Sequence, residues 1–453
     1  MRPYLLTLLP ADTRQSLHSV AGDYYHSQGD YLEAARQLRA ASQWEAAAAL
    51  LIEQQQSIVD NLQIEELSEL VGQFRNTEVS AGTWAKLKLM AGELAEFTGN
   101  LDAALLEYQQ ALNAPDVYTK GSAYYRRAKV FEHKNIDEAL AHYAYAIHLM
   151  EEERQRPSAA NGRADALLVR MYIQRAWIFI QVRPDLRRAA AHLHQAQALI
   201  DPSDRRLWCD LYNVLGEYHH YQHNPTVSVE HYWQAWLAAN EVRDAERMSQ
   251  TAHNLGLVYM GDLRQYDHAL DYLQRSQELA RQTGNRQMEG LCSMSMGACY
   301  FWLQRMPLAL TAYQGAAELF AETGNRTLLT RTHYGLAEAY AAQGDLPQAH
   351  EHLQSGLAIA TDLGDAGALA DFAQLTRDYP QLVRPMDAAS ERQQKALSYV
   401  QQHGQITNRT YQELTGVSQK QSVRDLNDMV KQGALVRVGS GRATGYRRAE
   451  SGD

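Results

Sequence analysis

A chain of 453 residues has room for several domains, and its 43 Lys/Arg against 53 Asp/Glu give a formal net charge of −10. No apolar run approaches the length of a bilayer span, and the block Tyr4 to Leu9 behind Arg2 is too short for a secretory signal peptide. Cys209, Cys292 and Cys299 form neither a disulfide framework nor a zinc spacing, so they are expected as buried small side chains in a cytoplasmic protein.

After an entry segment to Pro10, Ala21-Gly22 and Tyr25 predict a first helix, Gly29 a turn, and Ala34-Ala35 the opening of a second. Trp44 to Ile52 reads as an Ala-rich helix and Ile58 to Phe74 as one or two more, closing an N-terminal helical region over residues 1–80. Ala91-Gly92, Gly99-Asn100, Ala104, Tyr108 and Ala111 form a clear helical pair that Pro115 closes. Ala128, Phe131, Ala139 and Tyr143 form another. The polar stretch 151–164, broken by Pro157 and Gly162, is expected as an irregular inter-repeat loop. The small first-helix residue then returns at Ala176, Gly216, Gly256, Gly297 and Ala337.

The clearest periodicity lies between Ala245 and Asp365. Thr283-Gly284-Asn285, Thr323-Gly324-Asn325 and Leu363-Gly364-Asp365 recur 40 residues apart. Within each unit a small residue precedes an aromatic by three (Gly256 and Tyr259, Gly297 and Tyr300, Ala337 and Tyr340), and Ala269, Ala309 or Ala349 opens the second helix. Gly284 and Gly324 fall where a helix must end through a left-handed residue. A fixed period of this size signals stacked helix–turn–helix units, none of which buries its apolar face alone.

This pattern resembles the tetratricopeptide repeat (TPR), at a period longer than its usual ~34 residues. The resemblance implies a mainly α protein: a TPR superhelix over 81–380, capped by a terminal helix at 366–379. The Tyr24-Tyr25 to Ala34-Ala35 unit is similar to the region behind the ATPase core in STAND-type signalling ATPases. That similarity implies a sensor half, with an NTPase core supplied upstream or in trans.

Residues 381–390 read as a linker, and 391–449 follow a different grammar. Up to Val383 the chain holds 32 basic and 46 acidic residues, whereas 384–453 hold 11 and 7. A basic module on an acidic body implies two kinds of partner. A helix through Ala396, Leu397 and Val400 precedes a brief strand at Gln405 to Asn408, with Asn408 capping a helix Arg409 to Leu414. A turn at Thr415-Gly416-Val417-Ser418 leads to a helix with Val423, Leu426, Met429 and Val430 inward. A Gly-rich hairpin over 434–448 ends the module. This order resembles a bacterial winged helix-turn-helix. The resemblance implies DNA contacts from Gln419, Lys420, Gln421 and Arg424 on the third helix and Arg442, Arg447 and Arg448 in the wing, with Asp425 and Asp428 diluting the positive face. The alternative is a winged helix that docks on protein.

The sequence holds no phosphate-binding glycine loop and no His-Glu-x-x-His. We therefore expect no enzyme, no cofactor and no metal, and read His219 and His223 as surface histidines. In a TPR stack the first helices line the concave face. The exposed offsets there are Tyr125, Lys129, Trp177, Asn213, Glu217, His220, His253, Met260, Met294, Phe301, Trp302, Arg331, Tyr334 and Glu338. Such a groove suits a protein or peptide.

Overall fold

The computed structural model describes residues 9–132, 134–155, 161–382, 388–431, 434–439 and 444–448. These residues fold into two compact units, Met1–Val242 and Arg243–Asp453.

The first unit holds α1 (Ala11–Ser27), α2 (Tyr31–Ala40), α3 (Trp44–Asp60), α4 (Ile64–Gly72), α5 (Ala81–Phe97), α6 (Leu101–Ala111), α7 (Val117–Phe131), α8 (Ile136–Arg154), α9 (Asn161–Gln181), α10 (Leu186–Leu199), α11 (Arg205–Tyr221) and α12 (Pro225–Glu241). The second holds α13 (Ala245–Gly261), α14 (Tyr266–Thr283), α15 (Arg286–Trp302), α16 (Met306–Glu322), α17 (Arg326–Gln343), α18 (Leu346–Leu363) and α19 (Ala366–Asp378), then a C-terminal module. From α5 to α18 the helices pair as hairpins, and within each unit every first helix also touches the first helix of its neighbour.

One register recurs through the second helices: a small residue, a large core residue four later, and a small residue three beyond. It runs from Ala104, Tyr108 and Ala111 through Ser228, Tyr232 and Ala235 to Ala349, Leu353 and Gly356, all buried. The offsets place all three on one helix face. The large residue presses on the small residue of the first helix. A Cβ built on Gly92, Gly216 or Gly297 would come within 2.3, 2.6 and 2.7 Å of the rings of Tyr108, Tyr232 and Tyr313. The ring that fills the gap thus comes from the partner helix, not from the aromatic three residues along the same helix.

That aromatic has another use. One residue before the core position, His142, His192, His231 and His352 each pack on two rings that sit seven apart on the first helix. His142 meets Tyr124 and Phe131 at 5.7 and 5.1 Å between ring centres, and His192 meets Tyr172 and Phe179 at 5.7 and 5.8 Å. His231 meets Tyr212 and His219 at 6.1 and 5.1 Å, and His352 meets His333 and Tyr340 at 5.3 and 5.5 Å.

Gly284, Gly324 and Gly364 end their helices left-handed as expected, at φ of 69°, 68° and 65°. The residue after each caps the next helix. Asn285, Asn325 and Asp365 accept from the backbone N–H of Met288, Leu328 and Ala368 at 3.0, 3.1 and 3.0 Å. Arg243, Gln304 and His223 take the left-handed conformation without glycine, at φ of 54°, 58° and 59°.

Two boundaries differ from expectation. Ile58 belongs to α3, and the break falls at Leu62. Of the stretch 151–164, Glu151 to Arg154 complete α8 and Asn161 to Ala164 begin α9; 156–160 lie outside the described residues. The terminal helix α19 buries Phe372 and Leu375. A 3₁₀ turn, Pro380–Leu382, follows, and the last linker positions already belong to the next helix, which starts at Ala388.

The C-terminal module comprises α20 (Ala388–His403), β1 (Ile406–Thr407), α21 (Asn408–Thr415), α22 (Gln419–Lys431), β2 (Leu435–Val438) and β3 (Gly445–Arg448). Its antiparallel sheet has the order β1-β3-β2, pairing Ile406 with Tyr446 and Val436 with Arg447. Ala396, Val400, Ile406, Tyr411, Leu426, Met429, Leu435 and Tyr446 form its own core. Thr407, not Asn408, caps α21, accepting from Thr410 N–H at 3.2 Å. Val423 is exposed rather than inward; Ser422, Asp425, Leu426 and Met429 fill the inner face.

Candidate functional site

The inner row of the array is set by one fact of the repeat. The small residue of each first helix faces its hairpin partner, so the residues three before, one after and four after it turn toward the next first helix. In the first unit this row holds Tyr125, Lys129, Trp177, Asn213, Glu217 and His220. All are half-buried except Asn213, which is buried and donates from Nδ2 to the Cys209 carbonyl at 3.2 Å. Glu132 gathers several neighbours: Lys129 Nζ lies at 3.1 Å, Gln174 Nε2 donates at 3.1 Å, and the Tyr143 hydroxyl also donates to it. Gln181 donates to Glu217 at 3.4 Å and accepts from the Tyr221 hydroxyl at 2.7 Å. Burial pushes the Glu217 carboxyl up to about 7, only partly offset by the Gln181 amide.

In the second unit Met260, Met294, Tyr334 and Glu338 are half-buried, Arg331 is exposed, and Trp302 is 59% exposed. Burial raises the Glu338 carboxyl, helped by the charge of Asp378. Tyr334 packs on Phe372 at 5.7 Å between ring centres. The expectation of an open position is corrected at three residues: Asn213, His253 and Phe301 are buried. The neighbouring first helix meets His253 through Ser295 and Phe301 through Leu336. His253 has its Nε2 3.3 Å from Ser295 Oγ, and burial pushes its imidazole down to about 4, so it stays neutral. Phe301 joins the core of Ala309, Tyr313 and Leu336.

The cysteines are buried, and burial raises the thiols of Cys292 and Cys299 to about 11 and about 12. Among the described residues no group of three or more His, Cys, Asp or Glu could hold a metal, and no helix is long and apolar enough to cross a membrane.

In the module, Gln419, Lys420, Arg424, Arg447 and Arg448 are exposed, while Arg442 lies outside the described residues. Gln421 is half-buried and donates to Asp425 at 2.7 Å. Asp425 does not dilute a surface charge: it is buried and accepts from Arg392 Nε and the Tyr411 hydroxyl, both at 2.9 Å. Burial opposes its charge, but hydrogen bonds from Arg392, Gln421 and Tyr411 prevail and hold the carboxyl below its usual range. Asp425 thereby ties α20, α21 and α22 together. Arg447 and Arg448 are adjacent on β3, so strand alternation turns them to opposite faces of the sheet. Arg437, exposed on β2, is a further basic residue of the hairpin that the sequence reading did not single out.

Residues 291–362 match the tetratricopeptide repeat family. No curated protein matches the chain. Among solved structures, the apo form of the quorum sensor NprR from B. thuringiensis superposes with a TM-score of 0.53 at 12% identity, over 77% of this chain and 99% of that one. A Rap protein complexed with competence and sporulation factor gives 0.49 at 16% identity, over 77% and 98%. A STAND protein with a tetratricopeptide repeat sensor from Pyrococcus horikoshii gives 0.49 at 17% identity, over 69% of this chain and 48% of that one, so the chain spans about half that protein's length. The likeness to NprR is one of fold alone, a stack of helical hairpins, and the family match lies within residues 291–362.

Proposed function

We propose that the array is a non-enzymatic sensor and scaffold that binds a peptide or protein segment along its first-helix row. The observation that carries this is a pair of repeat-equivalent carboxylates, Glu217 and Glu338, each one residue after the small position and each raised by burial. Neither is paired with a cation in the contacts described above; half-buried Trp177 lies on the same stretch of row as Glu217 in the first unit, and half-buried Met260, Met294 and Tyr334 with exposed Trp302 lie on the stretch of Glu338 in the second. Aromatic and Met side chains supply apolar contact area, and a desolvated carboxylate gains most from a cationic partner. The ligand class is therefore a peptide carrying an amine, from Lys or a free N-terminus, beside apolar side chains.

The test is selection of a random displayed peptide library on the full chain. Selected peptides should be enriched in Lys and large apolar residues, and Glu338→Gln should weaken them. Selection of acidic peptides, or binding indifferent to both Glu338→Gln and Trp302→Ala, would overturn the reading.

We propose further that the C-terminal module is a winged helix acting on DNA, with α22 presenting Gln419, Lys420 and Arg424 and the hairpin adding Arg447. Its element order, sheet order and exposed basic side chains support this. Docking on protein is the competing role. Salt titration of the full chain against duplex DNA separates them: a phosphate contact adds about one unit to the salt slope, lost in Lys420→Ala or Arg424→Ala. An NTPase core, in cis or in trans, is the machine such a chain would serve; the resemblance of the Tyr24-Tyr25 to Ala34-Ala35 unit to STAND regulators supports this reading.

A further inference from the structure

A cleft of about 600 Å³ separates the last repeats from the C-terminal module. One wall is the turn between α17 and α18 (Gln343, Asp345, Gln348) with Leu310 and Gln314 of α16; the other is α20, through Leu397, Gln401 and Gln402, with Arg448 of β3. None of the α22 side chains assigned above to DNA lines it.

We propose that these walls are a docking interface: the module seats its α20 face and Arg448 on the α17–α18 turn, leaving α22 and Arg447 turned away from the array.

Three observations carry this. First, the tether is short. Leu382 is buried at the end of the array, its carbonyl 3.3 Å from His350 Nδ1, and only residues 383–387 separate it from α20. Six Cα steps reach at most about 20 Å, so the module is held at high local concentration beside this turn. Second, the walls are complementary. Asp345 faces a cleft that Arg448 enters, Leu397 stands in the same cleft as Leu310, and both walls are rich in glutamine. Third, the array wall is held in shape: Gln314 donates to the Tyr340 hydroxyl at 2.9 Å, and Asp345 caps α18 through the Gln348 N–H. A polar, partly open interface of this kind forms reversibly, and it gives the array a direct hold on the module's orientation.

This reassigns Arg448 from DNA contact to docking residue, and it stands whether or not α22 binds DNA. The test is site-directed cross-linking in the full chain. The native cysteines are all buried, so a pair at Gln343→Cys and Gln401→Cys reports alone. A short bis-maleimide should join this pair, and should not join Gln343→Cys to Asn427→Cys on α22. Arg448→Glu should slow the cross-link several-fold, while Arg448→Ala leaves duplex affinity and salt slope as in the parent chain. Equal cross-linking of both pairs, or none, overturns the docking. A cross-link rate indifferent to Arg448→Glu, with duplex affinity that falls in Arg448→Ala, returns Arg448 to the DNA surface.

Discussion

At the scale of single residues, the array shows where stability gives way to other demands. Glu217 is a half-buried carboxyl with no cationic partner among the described residues, pushed up to about 7 by burial. A raised carboxyl pKa means the native state binds more protons than the unfolded chain between pH 4.5 and about 7, so stability is lost as pH rises through that window. Glu217→Gln should therefore raise stability by about 1–2 kcal/mol at pH 8 and change little at pH 5. Denaturant melts at the two pH values check this, and equal gains at both would argue against a buried charge. Gln304 sits left-handed at φ 58°, where a Cβ is strained. Gln304→Gly should stabilise by about 1 kcal/mol. Conversely, Gly297→Ala places a methyl 2.7 Å from the Tyr313 ring and should cost about 1–3 kcal/mol. Tyr313→Leu, the residue type other repeats use there, should recover part of that loss in a double-mutant cycle.

At the scale of the element, histidines stacked on paired rings of the first helix set an acid limit on the hairpins. Burial lowers His142, His192, His231 and His352, and holds His333 down to about 4. A histidine lowered in the native state contributes stability above its ordinary value of 6.5, and that stability is lost as pH falls from 6.5 toward the lowered values. Far-UV circular dichroism melts should show the array losing stability between pH 6.5 and about 4, with His192→Phe flattening the slope. In the module, Asp425→Ala leaves Arg392 and the Tyr411 hydroxyl without their acceptor. It should cost about 3 kcal/mol or more and speed hydrogen exchange at Ile406 and Tyr446.

These elements also show what a sequence reveals and what it hides. Repeat spacing exposed the hairpins, their small contact residues and the glycines that end them, because backbone sterics demand those residue types at those offsets. It did not expose which ring covers Gly297. Tyr300 and Tyr313 are equally aromatic, and only packing shows that the covering ring comes from the second helix. His253 and Phe301 carry the right offset from their small residues yet are buried, because closure by the neighbouring first helix depends on interhelix distance, which no spacing encodes. Asp425 read as surface charge because its partners, Arg392 and Tyr411, lie 33 and 14 residues away. The separation of Arg447 from Arg448 was available in the alternation of a strand.

For the whole molecule, contacts divide the chain into two units at Val242 and Arg243, within the array. Each unit carries its own stretch of inner row, with Glu217 in one and Glu338 in the other. The central claim is that this row is where the protein meets its ligand. The most direct measurement is calorimetric titration of a library-selected peptide into the parent chain, Trp302→Ala, Glu338→Gln and Leu308→Ala. Leu308 is an exposed apolar residue of a second helix in the same unit, off the row. The account predicts that Trp302→Ala and Glu338→Gln each weaken binding by about 1–2 kcal/mol while Leu308→Ala leaves it unchanged. Loss of binding in Leu308→Ala, with Trp302→Ala and Glu338→Gln like the parent chain, would place the site on the opposite helices and contradict it.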